Sequence, residues 1–314
     1  MTRVAAMDCG TNSLRLLVAD LDPGAGTARD VVRRMEIVRL GQGVDRTGRI
    51  APEAMERTLR VTREYAEVCR AAGVERVRFV ATSATRDAAN RDEFVAGVRA
   101  VLGVEPEVVP GGVEAALSFA GATRGLDGAA PGPHCVVDIG GGSTEVVLGG
   151  DRPEAASSVD VGCVRLTERH LRSDPPSADE VRAATADVEA ALDRVADVVP
   201  LARARTLIGL AGSVTTVTAH ALRLPGYEPE RIHGAVLPVD VVRAACTDLL
   251  AMTRPQRAAL PYMHPGRVDV IGAGALVWRC VVERLAAEAG IGQVRASEHD
   301  ILDGIAWSLL EEAS

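Results

Sequence analysis

Two short stretches of the chain, at 7–18 and 137–148, match each other without a gap. They read MDCGTNSLRLLV and VDIGGGSTEVVL. In each, an apolar run ends at an aspartate, a glycine follows two positions later, a serine comes three positions after that glycine, and apolar residues then resume. This pattern is typical of a β-hairpin with a tight glycine turn. Because each stretch opens one half of the chain, the repeat predicts two duplicated domains whose hairpins face one another across a cleft.

The chain as a whole alternates between strand and helix patterns, which favours an α/β fold. The predicted strands include 4–9, 13–21, 30–40, 206–210 and 293–296, and the predicted helices include 239–252, 266–289 and 299–312. Two further helices carry the sequence signature of a capping box, formed by Asn90 with Glu93 and by Ser177 with Glu180.

The segment 124–134 is rich in glycine and proline and is the predicted domain boundary. Domain I is expected to comprise residues 1–124 plus 299–314, because we expect the C-terminal helix to pack back on the first domain. Domain II is expected to comprise residues 134–298.

Composition excludes several classes of function. The formal net charge is −8 and aromatic residues make up only 3% of the chain, which argues against nucleic-acid and anionic-membrane binding. All 35 basic residues are arginines, so neither a Walker A loop nor a Schiff-base lysine is available. The N-terminus runs straight into a strand pattern, and no apolar run of about 18 residues lacks a charge. We therefore expect a cytoplasmic protein that does not contact membranes.

The two glycine turns are typical of phosphate binding. The backbone N–H groups of a tight turn can converge on an anion, and serine and threonine hydroxyls can add donors. The predicted phosphate-binding residues are Gly10, Thr11, Asn12 and Ser13 in the first turn and Gly140, Gly141, Gly142, Ser143 and Thr144 in the second. The alternative is that the glycines serve only the geometry of two structural hairpins.

An acidic residue precedes each turn, which fits a cation held between carboxylate and phosphate. Mg²⁺ is commonly bound by one or two carboxylates together with phosphate oxygens and water. Asp8 and Asp138 are therefore predicted to bind Mg²⁺ or Mn²⁺ beside the phosphate.

The pair of turns resembles the two phosphate loops of the actin, Hsp70 and sugar-kinase superfamily, whose two duplicated domains are actin-like and ribonuclease H-like. Further motifs narrow the resemblance to the exopolyphosphatase and guanosine pentaphosphate phosphatase (Ppx/GppA) family in its short, two-domain form. They are FVATSATRDAANRDEF (79–94), VVPGGVEAALSFAGA (108–122), GLAGSVTTVTA (209–219), MHPGRVDVI (263–271) and SEHDILDGI (297–305). The resemblance runs from end to end.

The resemblance implies specific roles for several side chains. Glu114 is implied to be the catalytic base, and Arg86 to reach the substrate phosphates. Asp138 and Glu145 are implied to belong to the shell that binds the metal or activates water. Arginine suits the phosphate role because its planar guanidinium meets phosphate oxygens bidentately. Arg15, two residues past Ser13, is a further candidate for phosphate contact.

The expected reaction is Mg²⁺-dependent release of terminal phosphate from inorganic polyphosphate by water that Glu114 activates, in a protein expected to form a homodimer. Arg267 is expected to line the path of the polyanion. Many members of the family carry two adjacent glutamates where this chain has Val113 and Glu114, and long members add C-terminal helical domains. The short form and the few arginines near the cleft predict a preference for short polyphosphate.

Three alternatives remain open at this stage. A guanosine pentaphosphate 5′-phosphatase would use the same residues, and only the groups that recognise guanine would differ. An ATP-dependent kinase on the same fold is disfavoured by the single base Glu114. A non-catalytic regulator that binds polyphosphate or guanosine tetra- or pentaphosphate is disfavoured by the complete set of Glu114, Asp138 and Glu145, because a sensor needs no base.

Overall fold

The computed structural model describes residues 1–124 and 130–311, which form two compact units. Unit 1 comprises Met1–Gly121 and the C-terminal segment from Ile301, and unit 2 comprises Ala122–Asp300. Residues 125–129, which belong to the predicted boundary, lie outside the described residues.

Unit 1 is built on a five-stranded mixed sheet. Its strands are β1 (Thr2–Cys9), β2 (Ser13–Asp22), β3 (Thr27–Ile37), β4 (Arg76–Ala81) and β5 (Glu107–Val108). Its first helices are α1 (Val44–Thr47), α2 (Pro52–Ala71), α3 (Ser83–Arg86), α4 (Arg91–Leu102) and α5 (Gly111–Thr123). The strand order is β3-β2-β1-β4-β5, with β1 antiparallel to β2 and parallel to β4.

Unit 2 is built on a six-stranded mixed sheet. Its strands are β6 (His134–Ile139), β7 (Thr144–Gly149), β8 (Pro153–Val159), β9 (Thr206–Leu210), β10 (Val236–Pro238) and β11 (Gln293–Ala296). Its helices are α6 (Cys163–His170), α7 (Ala178–Ala196), α8 (Ala211–Ala221), α9 (Pro229–Ile232), α10 (Val239–Ala251), α11 (Arg254–Ala258) and α12 (Ile271–Ala289), with short 3-10 turns at Leu201–Arg203 and Pro265–Arg267. The C-terminal helix α13 (Ile301–Glu311) belongs to unit 1.

The topology of the first sheet recurs in the second, which has β10 as one additional edge strand. The order in unit 2 is β10-β11-β9-β6-β7-β8, so β8-β7-β6-β9-β11 repeats the order β3-β2-β1-β4-β5 of unit 1. In both units the first hairpin lies beside a parallel strand that enters from a helical crossover. The duplication that the repeated motif indicates therefore extends to the whole sheet.

Apolar side chains cover both faces of the first sheet, which explains why its central strands are almost continuously apolar. One face packs against α2 and α4 through a cluster that includes Tyr65, Phe79 and Phe94. The other face packs against α13 through a cluster that includes Leu17 and Ile305. In unit 2 the ring of Trp278 on α12 lies so close to β9 that a Cβ at Gly209 would be 2.6 Å from it.

Some local predictions hold and others are wrong. The capping box of Ser177 and Glu180 is confirmed at the start of α7. The box predicted at Asn90 does not form, because the buried Asn90 side chain instead bonds the backbone of Ile50, accepting from its N–H at 2.9 Å and donating to its C=O at 3.1 Å. No described helix is both long enough and apolar enough to cross a bilayer.

The predicted helix at 266–289 begins later than expected. Pro265–Arg267 form a 3-10 turn that the His264 side chain caps by accepting from the N–H of Gly266, and α12 starts only at Ile271.

Candidate active site

The first turn, between β1 and β2, is fixed from one side through its carbonyl groups. The N–H of Gly10 donates to Ser13 O at 3.0 Å and closes the turn. Asn12 O accepts from the backbone N–H of Arg39 at 2.8 Å, and Thr11 O accepts from that of Gly41 at 2.9 Å. Because C=O and N–H of a trans peptide point in opposite directions, the N–H groups of Asn12 and Ser13 point away from this segment. The turn therefore offers amides to an anion on its other side.

The second turn, between β6 and β7, is built in the same way. The N–H of Gly140 donates to Ser143 O, again at 3.0 Å. Its carbonyls accept from the first turn of α6: Gly140 O from Cys163 N at 3.0 Å, and Gly141 O from Val164 N at 2.9 Å. The same peptide geometry directs the N–H groups of Gly141 and Gly142 away from α6. Among residues 1–124 and 130–311, no backbone acceptor pairs with these two amides.

The glycines of the second turn allow a close approach rather than an unusual backbone conformation. Among the described glycines, those with positive φ lie outside both turns. Gly162, directly before α6, packs against the turn so closely that a Cβ there would be 2.6 Å from Gly141 C and 2.7 Å from Gly142 N. The requirement for glycine at Gly162 carries no signal in the repeated motif, and sequence reasoning missed it. The alternative left open above, that the glycines serve only turn geometry, is weakened because neither turn needs a positive φ.

The charged residues next to the turns differ between the two units. In the β1–β2 register Asp8 lies opposite Arg15, and Arg15 Nη2 donates to Asp8 Oδ2 at 2.7 Å. In the β6–β7 register Asp138 lies opposite Glu145. Opposite residues of an antiparallel pair have their side chains on the same face. The first hairpin thus neutralises its own carboxylate, whereas the second places two carboxylates side by side.

Both carboxylates of the second hairpin are buried. Asp138 is 6% exposed and Glu145 is 1% exposed, and Ser158 Oγ on β8 donates to Glu145 Oε1 at 2.7 Å. Two buried carboxylates repel each other unless a proton or a cation lies near them. In the described residues no group of three or more His, Cys, Asp or Glu side chains could hold a metal unaided. The pair fits a Mg²⁺ ion that completes its ligand set with phosphate oxygens and water.

The predicted base and the predicted phosphate ligand lie in contact in unit 1. Arg86 Nη1 donates to Glu114 Oε2 at 3.0 Å and to Val109 O at 3.0 Å. Glu114 lies in the first turn of α5 and is only 7% exposed. Ser83, at the start of α3, shares a hydrogen bond of 2.8 Å with Thr11 of the first turn.

Strand order explains why these groups gather in unit 1. The turn, α3 and α5 follow β1, β4 and β5, which are adjacent parallel strands, so all three begin at the same edge of the sheet. The carboxyl edge of parallel strands is where open α/β sheets bind ligands.

A comparable gathering occurs in unit 2. Helix α8 follows β9, the parallel neighbour of β6. Arg267 lies over its first residues: its Nη1 donates to Thr216 Oγ1 at 3.3 Å, and a Cβ at Gly212 would be 2.3 Å from its Cζ. The second turn and Arg267 thus lie at one edge of the second sheet.

The described geometry can be compared with known proteins. Residues 17–309 match the model of the Ppx/GppA phosphatase family. The chain belongs to this family. It is 53% identical over 318 residues to exopolyphosphatase 2 of Mycobacterium tuberculosis, an alignment that covers 98% of this chain and 99% of that protein.

Two solved structures are similar over their full length. A crystal structure of an exopolyphosphatase-like protein has 43% identity and a TM-score of 0.96, and the match covers 100% of both chains. The Aquifex aeolicus member of the Ppx/GppA family has 29% identity and a TM-score of 0.81, with 100% of this chain and 99% of that one covered. The predicted family and the α/β fold with two actin-like domains are therefore confirmed, and this family member is a phosphatase.

Proposed function

We propose that this phosphatase is a Mg²⁺-dependent exopolyphosphatase that removes the terminal phosphate of short inorganic polyphosphate. The observation that carries the proposal is the contact between Glu114 and Arg86 at the sheet edge of the first glycine turn. In this proposal Glu114 is the proton acceptor and Arg86 the phosphate ligand, which is the pair that hydrolysis of a phosphoanhydride requires. The relative from Mycobacterium tuberculosis, named exopolyphosphatase 2, supports the choice of substrate.

Substrate binding and activation of the base are coupled in this proposal. Without substrate, Glu114 accepts a hydrogen bond from Arg86, which holds the carboxylate in place. A terminal phosphate competes for the same guanidinium, because phosphate oxygens also accept from it bidentately. The shift of Arg86 toward phosphate frees Glu114 to accept a proton from water.

The proposed hydrolytic step uses these groups as follows. Water attacks the terminal phosphorus, its proton passes to Glu114, and the bond from phosphorus to the bridging oxygen breaks. The amides of the first turn stabilise the charge on the phosphoryl oxygens, and Arg86 offsets the remainder. The shortened polyphosphate leaves with the electrons of the broken bond.

We assign the metal ligands to the second hairpin first. Asp138 and Glu145 would hold Mg²⁺, which would neutralise phosphate charge and orient the substrate. We rank Asp8 third among the predicted ligands, because Arg15 donates twice to its Oδ2 and only the buried Oδ1, which accepts no hydrogen bond from the described residues, is left for a metal. The same oxygen ligands would also bind Mn²⁺.

One assay of phosphate release tests the substrate. Short polyphosphate, long polyphosphate and guanosine pentaphosphate are compared at equal concentration with Mg²⁺. We expect the fastest release from short polyphosphate, and partial digests of long chains that shorten gradually as one population, since few arginines line either turn. Faster release from guanosine pentaphosphate would transfer the proposal to that substrate, and full-length chains persisting beside free phosphate would contradict the preference for short chains. The homodimer stays a prediction.

A further inference from the structure

A groove with two arginines lies in unit 2, at the edge of the sheet opposite to the glycine turn. It is a groove of about 400 Å³ lined by the starts of β9 and β11, the end of α12 and the residues just before β6. Thr206 begins β9 and lines the groove, whereas Leu210 ends β9 beside Asp138. Four residue steps along a strand span about 13 Å, so the groove and the second turn are separate sites.

Among the described residues, the charges that line this groove have one sign. Its charged lining residues are Arg205 and Arg295, and within the described part of the chain no carboxylate lines it. Neither guanidinium forms an ion pair within residues 1–124 and 130–311, whereas the nearby Arg203 pairs with Glu154 at 2.8 Å. A second cavity of unit 2, about 450 Å³ in volume, differs because Asp248 lines it beside Arg223. Two such arginines in a chain of net charge −8 point to an anionic ligand.

The size and floor of the groove indicate more than a phosphate group. A volume near 400 Å³ lies in the range of small-molecule pockets, and inorganic phosphate would occupy a small part of it. The apolar side chains of Pro131, Val236 and Ile291 line the same space, and Val236 is 45% exposed. The backbone at Gly290 and Gly292 is bare, since no atom lies within 4 Å of a Cβ built at either position. A ring could lie against this surface while the arginines hold the anionic end.

We propose that the groove binds an organic phosphate of nucleotide size. Arg205 and Arg295 donate to its phosphate oxygens, and Val236 and Pro131 contact its ring. The site takes no part in hydrolysis, so the proposal goes beyond the phosphatase activity and stands or falls separately from it.

The test is photocrosslinking of the full chain with an azido derivative of ADP, with chelator present to prevent turnover. Labelling of 289–295 is quantified by mass spectrometry against concentration, which reports occupancy of this groove alone. In Arg205→Gln/Arg295→Gln we expect an affinity at least about tenfold lower, because each guanidinium contributes charge-assisted hydrogen bonds. The matched control, Arg172→Gln/Arg203→Gln, removes the same charge outside the groove and should stay within about twofold of the parent chain. Equal labelling of the parent and the groove variant would overturn the proposal.

Two further arms identify the ligand class. Gly292→Leu fills the groove from a position with open space and no positive φ, so we expect it to abolish labelling without lowering Tm. Unlabelled ADP should compete better than pyrophosphate, and adenosine should not compete. Pyrophosphate competing as well as ADP would overturn the assignment to an organic phosphate, and adenosine competing as well as ADP would overturn the role of the arginines.

Discussion

The two glycine turns have the same pattern of backbone hydrogen bonds, but the charged residues beside them differ. Both are closed by a bond from the N–H of the first glycine to the serine carbonyl at 3.0 Å, and both have their carbonyls held from behind by backbone N–H groups. The residue opposite the aspartate is Arg15 in unit 1 and Glu145 in unit 2. With Arg15 at this position, the first hairpin suits an anion alone. With Glu145 there, the second hairpin suits an anion together with a cation. We therefore propose that both turns bind phosphate and that the second hairpin supplies the main metal ligands.

The largest expected effect concerns the proton acceptor, which we place in unit 1 only. Glu114→Gln keeps the shape of the side chain and removes its capacity to accept a proton. We expect kcat to fall about 10²–10⁴-fold with little change in KM. Glu105→Gln is the control, since Glu105 is an exposed carboxylate that pairs with Arg99. Near-normal turnover of the Glu114 variant would show that Glu114 is not the proton acceptor.

The next largest effect concerns the ion pair of the first hairpin. Arg15→Gln leaves Asp8, whose side chain is 5% exposed, without its cation. We expect a loss of about 3 kcal/mol in the free energy of unfolding, because an uncompensated buried charge is costly. Denaturant titration measures the loss, and Arg15→Gln/Asp8→Asn should recover part of it. If the single variant is as stable as the parent, the pair does not hold the first turn.

A smaller effect is expected at the position equivalent to Arg15 in the second hairpin. Glu145→Gln can still accept from Ser158 but carries no charge for the metal. We expect the Mg²⁺ concentration for half-maximal rate to rise about 10–100-fold. Ser158→Ala, which keeps the carboxylate, should shift it less. An unchanged Mg²⁺ dependence in Glu145→Gln would remove this residue from the metal site.

The smallest expected effect concerns the close packing of Gly162, directly before α6, against the second turn. Gly162→Ala places a Cβ against Gly141 and Gly142, and we expect a loss of about 1–3 kcal/mol in stability from this overpacking. Gly226→Ala is the control, because no atom lies within 4 Å of a Cβ at that glycine. Thermal unfolding of the two variants gives the difference, and equal Tm values would show that the contact at Gly162 relaxes without cost.

Much of the sheet framework was predictable from the sequence, because apolar runs bounded by glycine leave little choice. The strands predicted at 206–210 and 293–296 are confirmed as β9 and β11. The prediction of 30–40 for β3 was three residues late, since this edge strand is largely exposed and has no hydrophobic pattern to mark its ends. The bond that Asn90 makes to Ile50 depends on a residue forty positions away, which local patterns do not reveal.

The residue types of the candidate site were predictable from the motifs, but two kinds of contact between these residues were missed. The motif places a carboxylate before each turn, yet whether it meets a cation or another carboxylate depends on hairpin register. That signal was present, because a turn closed between Gly10 and Ser13 puts Asp8 opposite Arg15. The contact between Arg86 and Glu114 arises from the adjacency of β4 and β5, a tertiary fact that sequence spacing does not contain.

The proposal that the second hairpin holds a metal during polyphosphate hydrolysis can be tested by one Mg²⁺ titration of phosphate release. The chains compared are the parent, Asp138→Asn and Asp8→Asn, with short polyphosphate as substrate. We expect the half-saturating Mg²⁺ concentration to rise at least about tenfold in Asp138→Asn and to stay within about twofold in Asp8→Asn. Equal shifts in the two variants, or full activity of the parent chain in excess chelator, would contradict the claim.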